Sequence, residues 1–398
     1  MSVPKNLVVV GGSYVGVNVA QQLAAALSDR FRIVLIEKNS HFNHLFAFPR
    51  FAAATKVDTK KAFIPYNPGT FANTPGGAGA NTVVQARATG LTRTAVELDR
   101  QVSLASSDGS DHTTLVNSIP YEYLVLVTGT QLVPPSAIPG TEKTEGVTYL
   151  QQHAAQVEKA SKIAIIGGGA VGVQMATDIK ELYPSKSVTL VHSRPTVMNR
   201  FHTDLDAIVK ARFAEMGIET KLGSRVASPK ASTAAPEGQT IDVVCEDGSK
   251  LATELAIVCT GQTPQSGLLK ALSPASINES GFIKVRDTLQ VQDPELNNIF
   301  AIGDVADTGA AKAARPAAKQ ATIVVQNIQH LLNNEPLDKY TGIDPAGIHM
   351  TLGITKNIIF RNPHPGEQPH IVHKDDGAYD MNIDGVWARR GGGHDANL

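Results

Sequence analysis

The chain has 398 residues, too many for one hydrophobic core, so two or three domains are expected. It carries 36 Lys+Arg against 37 Asp+Glu, a formal net charge of −1, with 42% hydrophobic and 18% charged residues. This ordinary composition generates no global field that would draw the chain to nucleic acid or to an anionic membrane. The two cysteines, Cys245 and Cys259, exclude a disulfide framework or a zinc ribbon. Cys259 lies in an apolar run and reads as a buried structural thiol, and sparse cysteine fits a reducing compartment.

The first strand, Leu7 to Val10, begins almost at once, leaving no room for a signal peptide, so a cytoplasmic location is expected. No apolar run approaches the roughly 18 residues of a membrane span, and peripheral membrane contact stays open. The strand runs into Gly11-Gly12-Ser13-Tyr14-Val15-Gly16, a G-x-G-x-x-G turn with serine at its second glycine position. That position demands little side chain, so that a diphosphate can approach backbone N–H groups at a helix N-terminus, and serine is small enough. A second strand, Arg32 to Glu37, ends in a carboxylate about 26 residues after Gly11, placed to accept hydrogen bonds from ribose hydroxyls. Lys38 and Val84 join Gly11, Gly12, Ser13, Tyr14, Gly16 and Glu37 as candidate cofactor contacts.

Pro65 to Ala80, rich in Pro, Gly, Asn and Ala, is expected to be a mobile surface loop, and the alternation between Asn81 and Ser106 predicts a small antiparallel insert. Tyr123 to Val127 is a buried strand ending in the small-residue turn Thr128-Gly129, and Pro134 to Gly140 reads as a linker. Lys162 to Gly172 then repeats the opening motif about 156 residues later. Gly167-x-Gly169-x-x-Gly172 is a full match, with Ala170 and Val171 opening the helix. The next strand, Ser187 to Val191, ends in His192-Ser193-Arg194 where an acid would exclude a 2′-phosphate. Arg194, helped by His192 and Ser193, is therefore expected to hold that phosphate, giving NADPH or use of both NADPH and NADH. Ser232 to Gly238 reads as a hairpin loop, and Leu255 to Val258 runs into a second small-residue turn, Thr260-Gly261.

Asn298 to Gly303-Asp304 is a further strand whose terminal aspartate is suited to the ribityl hydroxyls of a flavin. Pro316 suits the first turn of a helix running through Lys319, Gln320 and Ile328. Its N-terminus, with Lys319, would stabilise negative charge on a reduced flavin, which makes Lys319 a candidate catalytic residue. The last 60 residues lack strong periodicity: Met350 to Phe360 could supply strand or helix, and Gly391-Gly392-Gly393 is expected to begin a frayed tail. His364, His370, His373, Asp375 and Asp376 have metal-ligand chemistry, but Pro363, Pro365 and Pro369 between them read as an exposed loop, so no metal is expected.

Taken together, the two fingerprints, Phe42-x-His44-x-x-Ala47-x-x-Arg50, Val188-Thr189-Leu190-Val191-His192-Ser193 and Ile302-Gly303-Asp304-x-Ala306 resemble the two-dinucleotide-fold flavoproteins of the glutathione-reductase type over about residues 5 to 335. Within these the chain is most similar to the apoptosis-inducing-factor-like and ferroptosis-suppressor group. The resemblance implies an α/β fold with two Rossmann-like domains, the NAD(P) domain inserted in the FAD domain. The implied boundaries are 1–135 and 265–335 for the FAD domain, 136–264 for the NAD(P)H domain, and 336–398 for a small C-terminal domain covering the flavin. It also implies that the segment around Arg50 runs along the flavin, making Arg50 an FAD contact.

Three departures bear on the chemistry. No Cys-x-x-x-x-Cys pair lies near residues 40 to 55, which excludes disulfide reduction by the superfamily's usual route. Gln174 stands where the ferroptosis-suppressor group has a glutamate near the nicotinamide, and Ala388 follows Trp387 where a lysine is expected. Gln174 is accordingly a second candidate catalytic residue, able to hydrogen-bond but not to accept a proton. The expected function is an FAD-dependent NAD(P)H oxidoreductase passing electrons to a small, quinone-like acceptor, as a monomer or homodimer with no nucleic-acid partner. A flavin oxidase or reductase of a specialised metabolite, and a redox-sensing binding protein with little turnover, remain open alternatives.

Overall fold

The computed structural model describes residues 5–66, 70–71, 81–105, 113–393 and 395–397. The first βαβ unit consists of β1 (Lys5–Val10), α1 (Tyr14–Leu27) and β2 (Phe31–Glu37), followed by β3 (Thr82–Gln85) and β4 (Tyr123–Leu126). The chain passes through α2 (Lys143–Lys159) into a second unit: β5 (Lys162–Ile166), α3 (Ala170–Leu182), β6 (Ser187–Val191), α4 (Thr203–Met216), β7 (Glu219–Lys221) and β8 (Leu255–Val258). It then supplies β9 (Ile299–Ala301) and α5 (Ala314–Asn333), and ends in β10 (Gly347–Thr351), β11 (Asn357–Arg361), β12 (His370–Lys374) and α6 (Ile383–Arg389).

The first sheet is parallel throughout, in the order β9-β4-β1-β2-β3, so a strand from beyond residue 298 returns to the sheet begun at residue 5. Strands buried on both faces favour apolar residues at successive positions, which is why Leu7 to Val10 and Ile33 to Ile36 read as continuous apolar runs. Helix α1 buries Gly16, Ala20, Leu23, Ala24 and Leu27, a helical stripe, and packs against α5 on one face of this sheet. The other face is covered by the three-stranded antiparallel sheet of Ala88–Leu91, Ala95–Ala105 and Thr113–Pro120. The antiparallel insert expected from Asn81 onward therefore starts later: Val84 belongs to the parallel sheet, opposite Ile36.

The second sheet has the order β7-β6-β5-β8, with Thr233–Ala234 added antiparallel to β8. The segment expected as a hairpin loop from Ser232 thus contributes an edge strand, because the otherwise open side of β8 offers unpaired backbone groups. The two units are joined by one antiparallel pair, Thr130–Leu132 with Gln262–Pro264, immediately after the turns Thr128-Gly129 and Thr260-Gly261.

Met350 to Phe360 forms strands of the C-terminal sheet. Met350, Leu352, Ile358 and Phe360 share one core with α3, α4 and the segment from Ala47 to Phe63. This sheet therefore packs against residues of both units. The glycine tail is not frayed at its start: Gly392 N–H bonds to Trp387 O at 2.9 Å, and Trp387 Nε1 donates to Gly393 O at 2.8 Å. His370 and His373 lie on β12, not in a loop. Most of the loop expected over Pro65 to Ala80 lies outside the described residues. Among the described residues, no helix is long and apolar enough to cross a membrane, and no cluster of metal-ligating residues is present.

Candidate functional site

The first fingerprint turn is sterically closed to anything but glycine at its two ends. Gly11 has φ +107, and a Cβ there would strike the Val127 carbonyl; a Cβ on Gly16 would overlap Gly11 O. Ser13 is the N-cap of α1 but makes no side-chain cap bond, so the first N–H groups of the helix are left for an external acceptor. Glu37 is buried at the end of β2, where Oε2 accepts the Gly12 N–H while Oε1 accepts the backbone N–H of Asn39 at 2.9 Å and its side chain at 2.7 Å. The carboxylate is thus aimed across the turn, where a ribose would meet it. Lys38 is half-buried beside it, its pKa lowered by burial. Val84 places its side chain in the core, and only the backbone following it, through Ala86 N–H to Glu37 O, adjoins the site.

Gly303 and Asp304 form a single 3-10 turn after β9, next to Val15 of the first fingerprint. Gln320, buried on α5, accepts the Gly303 N–H at 2.9 Å and donates to Thr308 Oγ1 at 3.1 Å, which fixes the turn. The Asp304 carboxylate finds no hydrogen-bond donor among the described residues; burial raises its pKa, and Lys312 pulls it back down. A half-buried carboxylate lacking a donor is suited to sugar-alcohol hydroxyls. Lys312, whose Nζ donates to Ala306 O and lies 4.5 Å from the Phe282 ring centroid, is the cation beside Asp304. Lys319 is exposed on α5, with Nζ 3.5 Å from Gly342 O and 6.0 Å from the Tyr340 ring centroid. On the other side of the turn, Thr128 Oγ1 donates to Gln265 O at 2.6 Å, and Gly129 accepts the Gln265 N–H.

The second fingerprint repeats this construction with one exchange. Gly167 has φ +123 against Cys259 O and Thr260, a Cβ on Gly172 would overlap Gly167 O, and Gly169 caps α3 without a side chain. Ala170 and Val171 open the helix, and Gly261 (φ +98) turns the chain back to the first unit. The Gly168 N–H donates to His192 Nδ1 at 3.0 Å, as Gly12 N–H does to Glu37. His192 has replaced the acid as the acceptor for the turn. Burial and the neighbouring Arg194 lower its pKa, against Asn199 and Thr196, which raise it; with Nδ1 accepting, the neutral ring carries its proton on the buried Nε2. Arg194 is exposed beyond it, next to the half-buried Ser193.

Beside the first turn, Tyr14 and the Phe42 and His44 of the sequence motif join Phe46, Arg390 and Tyr66, which sequence reading missed. Tyr14 Oη is 2.8 Å from His44 Nδ1, and its ring meets Phe42 edge-on at 5.0 Å and Phe46 at 4.8 Å. The Arg390 guanidinium sits 3.8 Å from the Phe42 centroid and 5.2 Å from that of Tyr14, with no hydrogen bond or ion pair among the described residues. Tyr66 donates its hydroxyl to Gly12 O. Phe46 is 58% exposed, so the cluster opens to solvent. Burial, with the charges of Arg390 and Arg389, lowers the His44 pKa to about 4. No periodic signal announces Arg390 or Tyr66, which come from the aperiodic C-terminus and from a loop.

Arg50 corrects an expectation. It is 0% exposed, and all five N–H groups are committed to Asp178, Gly353 O, Ala378 O and Tyr379 O, leaving none for a flavin. Gln174, on the first turn of α3 beyond the fingerprint, donates to Thr351 Oγ1 of β10 at 3.1 Å. Both cysteines are free and lie in the second unit, and burial pushes the Cys259 thiol up to about 12.

Comparison with known proteins agrees with this construction. The family model described as pyridine nucleotide-disulphide oxidoreductase matches residues 6–321. Fe-regulated protein 8 of Mycosarcoma maydis is 36% identical over 405 residues, covering 97% of this chain and 95% of that protein. Ferroptosis suppressor protein 1 of Homo sapiens is 28% identical over 354 residues, covering 88% of this chain and 87% of its own length. Among solved structures, the sulfide:quinone oxidoreductase from the hyperthermophilic bacterium Aquifex aeolicus shares the fold, with a TM-score of 0.71 at 18% identity over 98% of this chain and 92% of that one. With two glycine turns and an acid-tipped and a histidine-tipped second strand, the chain belongs to the pyridine nucleotide-disulphide oxidoreductase family and is an oxidoreductase working with FAD and a nicotinamide dinucleotide.

Proposed function

We propose that this enzyme takes electrons from NADPH, in preference to NADH, and delivers them to a planar, quinone-like small molecule. The observation that carries the acceptor is the open cluster of Tyr14, Phe42, His44, Phe46 and Arg390 beside the first fingerprint. Aromatic faces favour a flat, weakly polar ring, and an unpaired guanidinium favours its oxygen atoms. Without a thiol in the flavin-side segment, a disulfide substrate has no relay. Bound FAD would supply the hydride acceptor and the two-electron store.

The chain's own residues do the rest. The N-terminus of α1, from the Ser13 amide onward, holds the flavin dinucleotide's diphosphate, Glu37 its ribose, and Asp304 its ribityl hydroxyls. On the second unit, the α3 N-terminus holds the nicotinamide dinucleotide's diphosphate. The His192 Nε2–H and Arg194 supply donors to a 2′-phosphate that an acid at this position would repel. Tyr14 and neutral His44, hydrogen-bonded to each other, are placed to move a proton toward a reduced acceptor.

The test is steady-state turnover of FAD-loaded protein with NADPH against a short-chain benzoquinone, an aromatic disulfide and molecular oxygen. Turnover with the quinone exceeding both others is expected. Turnover only with oxygen, or only with the disulfide, would refute the acceptor class.

A further inference from the structure

Arg50 and Asp178 form a buried pair that the chemistry above does not use, and its geometry is unusually complete. Arg50 Nε donates to Asp178 Oδ2 at 2.7 Å and Nη2 to Oδ1 at 2.9 Å, a planar two-bond fork. The remaining N–H groups reach Gly353 O at 2.8 Å, Ala378 O at 3.0 Å and Tyr379 O at 3.2 Å. Both side chains are at most 1% exposed.

What the pair connects gives it meaning. Arg50 follows directly on the segment carrying Phe42, His44 and Phe46, in the short helix Phe48–Phe51. Asp178 lies on α3, the helix whose N-terminus is the second fingerprint, and one turn before it Gln174 is tied to β10 through Thr351. Gly353 closes the hairpin after β10, and a Cβ there would strike the Glu181 carboxylate. Glu181 is itself held by Arg212 at 2.8 Å, and Arg212 Nε donates to Leu352 O at 2.9 Å. One guanidinium therefore fastens the flavin-side segment, the nicotinamide-side helix and the C-terminal segment at a single point.

For adhesion alone, a buried ion pair is a poor choice, because apolar residues of similar volume hold two surfaces together as well or better. What the fork supplies is direction and distance, since both bonds form only in one relative placement. We infer that Arg50 and Asp178 are positioning residues that set the separation and tilt of the two dinucleotide sites, and with them the rate of hydride transfer. The inference rests on the two-site reading of the family but not on the acceptor. The reductive half-reaction needs no acceptor, so its failure and that of the quinone reading are separate results.

The test is anaerobic stopped-flow reduction of FAD-loaded Asp178→Asn by NADPH, with FAD content, the NADPH dissociation constant and the charge-transfer absorbance recorded alongside. Asp178→Asn keeps the shape and one acceptor, and Arg50→Lys keeps the charge but loses the fork. Both are expected to retain FAD and bind NADPH within about twofold of the parent. Flavin reduction should slow by about tenfold to a hundredfold, the cost of a misplacement near 1 Å, with a weakened charge-transfer band. A reduction rate like the parent's in either FAD-loaded variant would overturn the inference. So would parallel loss of NADPH binding and rate, or failure of both variants to take up FAD, since these assign the pair to folding alone.

Discussion

His192 and Glu37 do the same backbone task with opposite consequences for a ligand. Each accepts the amide proton of the fingerprint's second residue, but the carboxylate keeps spare acceptors while the neutral imidazole offers a donor through Nε2. A donor and a nearby guanidinium suit a phosphate, so Arg194→Ala should raise KM for NADPH by about tenfold to a hundredfold, the worth of one or two charge-assisted bonds. KM for NADH should stay nearly unchanged; an equal rise for both nucleotides would place Arg194 outside the 2′-phosphate site. His44 makes a prediction in pH. Its folded pKa of about 4 lies below the ordinary 6.5, so the unfolded chain takes up a proton that the folded chain refuses. The stability is fully present above pH 6.5 and falls as pH is lowered toward 4, by on the order of 3 kcal/mol from this group. In thermal unfolding across that window, His44→Asn should flatten the loss; an unchanged pH profile would show that His44 titrates freely.

At the scale of elements, the two fingerprint helices are interchangeable in construction but not in ligand. Gly16→Ala and Gly172→Ala each drive a methyl group into a carbonyl of their own turn, Gly11 O and Gly167 O respectively. Gly16→Ala is expected to yield protein depleted of FAD. Gly172→Ala should keep the yellow flavin but weaken NADPH binding by at least about tenfold, a displacement costing only some 1.4 kcal/mol. The reverse pattern would exchange the two sites. These turns were legible because β1 and β5 are buried on both faces, and such strands leave continuous apolar runs ending in glycine. Val84 and Thr233–Ala234 were misplaced for the opposite reason: a short edge strand is decided by which neighbour has unpaired backbone groups, and local sequence does not record that.

The whole molecule is organised by contacts distant in sequence, which is where the sequence was least readable. Arg50 looked like a flavin contact because the family resemblance runs its segment along the flavin. Its partners Asp178, Gly353, Ala378 and Tyr379 lie 128 to 329 residues away, and no local pattern names them. Arg390 is similar: an aperiodic tail, tied down by Trp387 and Gly393, brings it over Phe42. Lys319 lies on an exposed face of its helix, and Lys312, just before that helix, stands beside Asp304. The fold thus followed from repeats and periodicity, while the aromatic cluster around Arg390 and the Arg50–Asp178 pair depend on how the C-terminal segment meets the two units.

The proposed electron flow, from NADPH through bound flavin to a quinone-like acceptor, is open to one direct measurement. FAD-loaded protein is mixed anaerobically with one equivalent of NADPH in a stopped-flow spectrophotometer, and a short-chain quinone is added once the flavin absorbance has bleached. The account predicts rapid bleaching, faster with NADPH than with NADH, followed by rapid return of the oxidised spectrum on adding quinone. A flavin that bleaches and then stays reduced in the presence of quinone would contradict it.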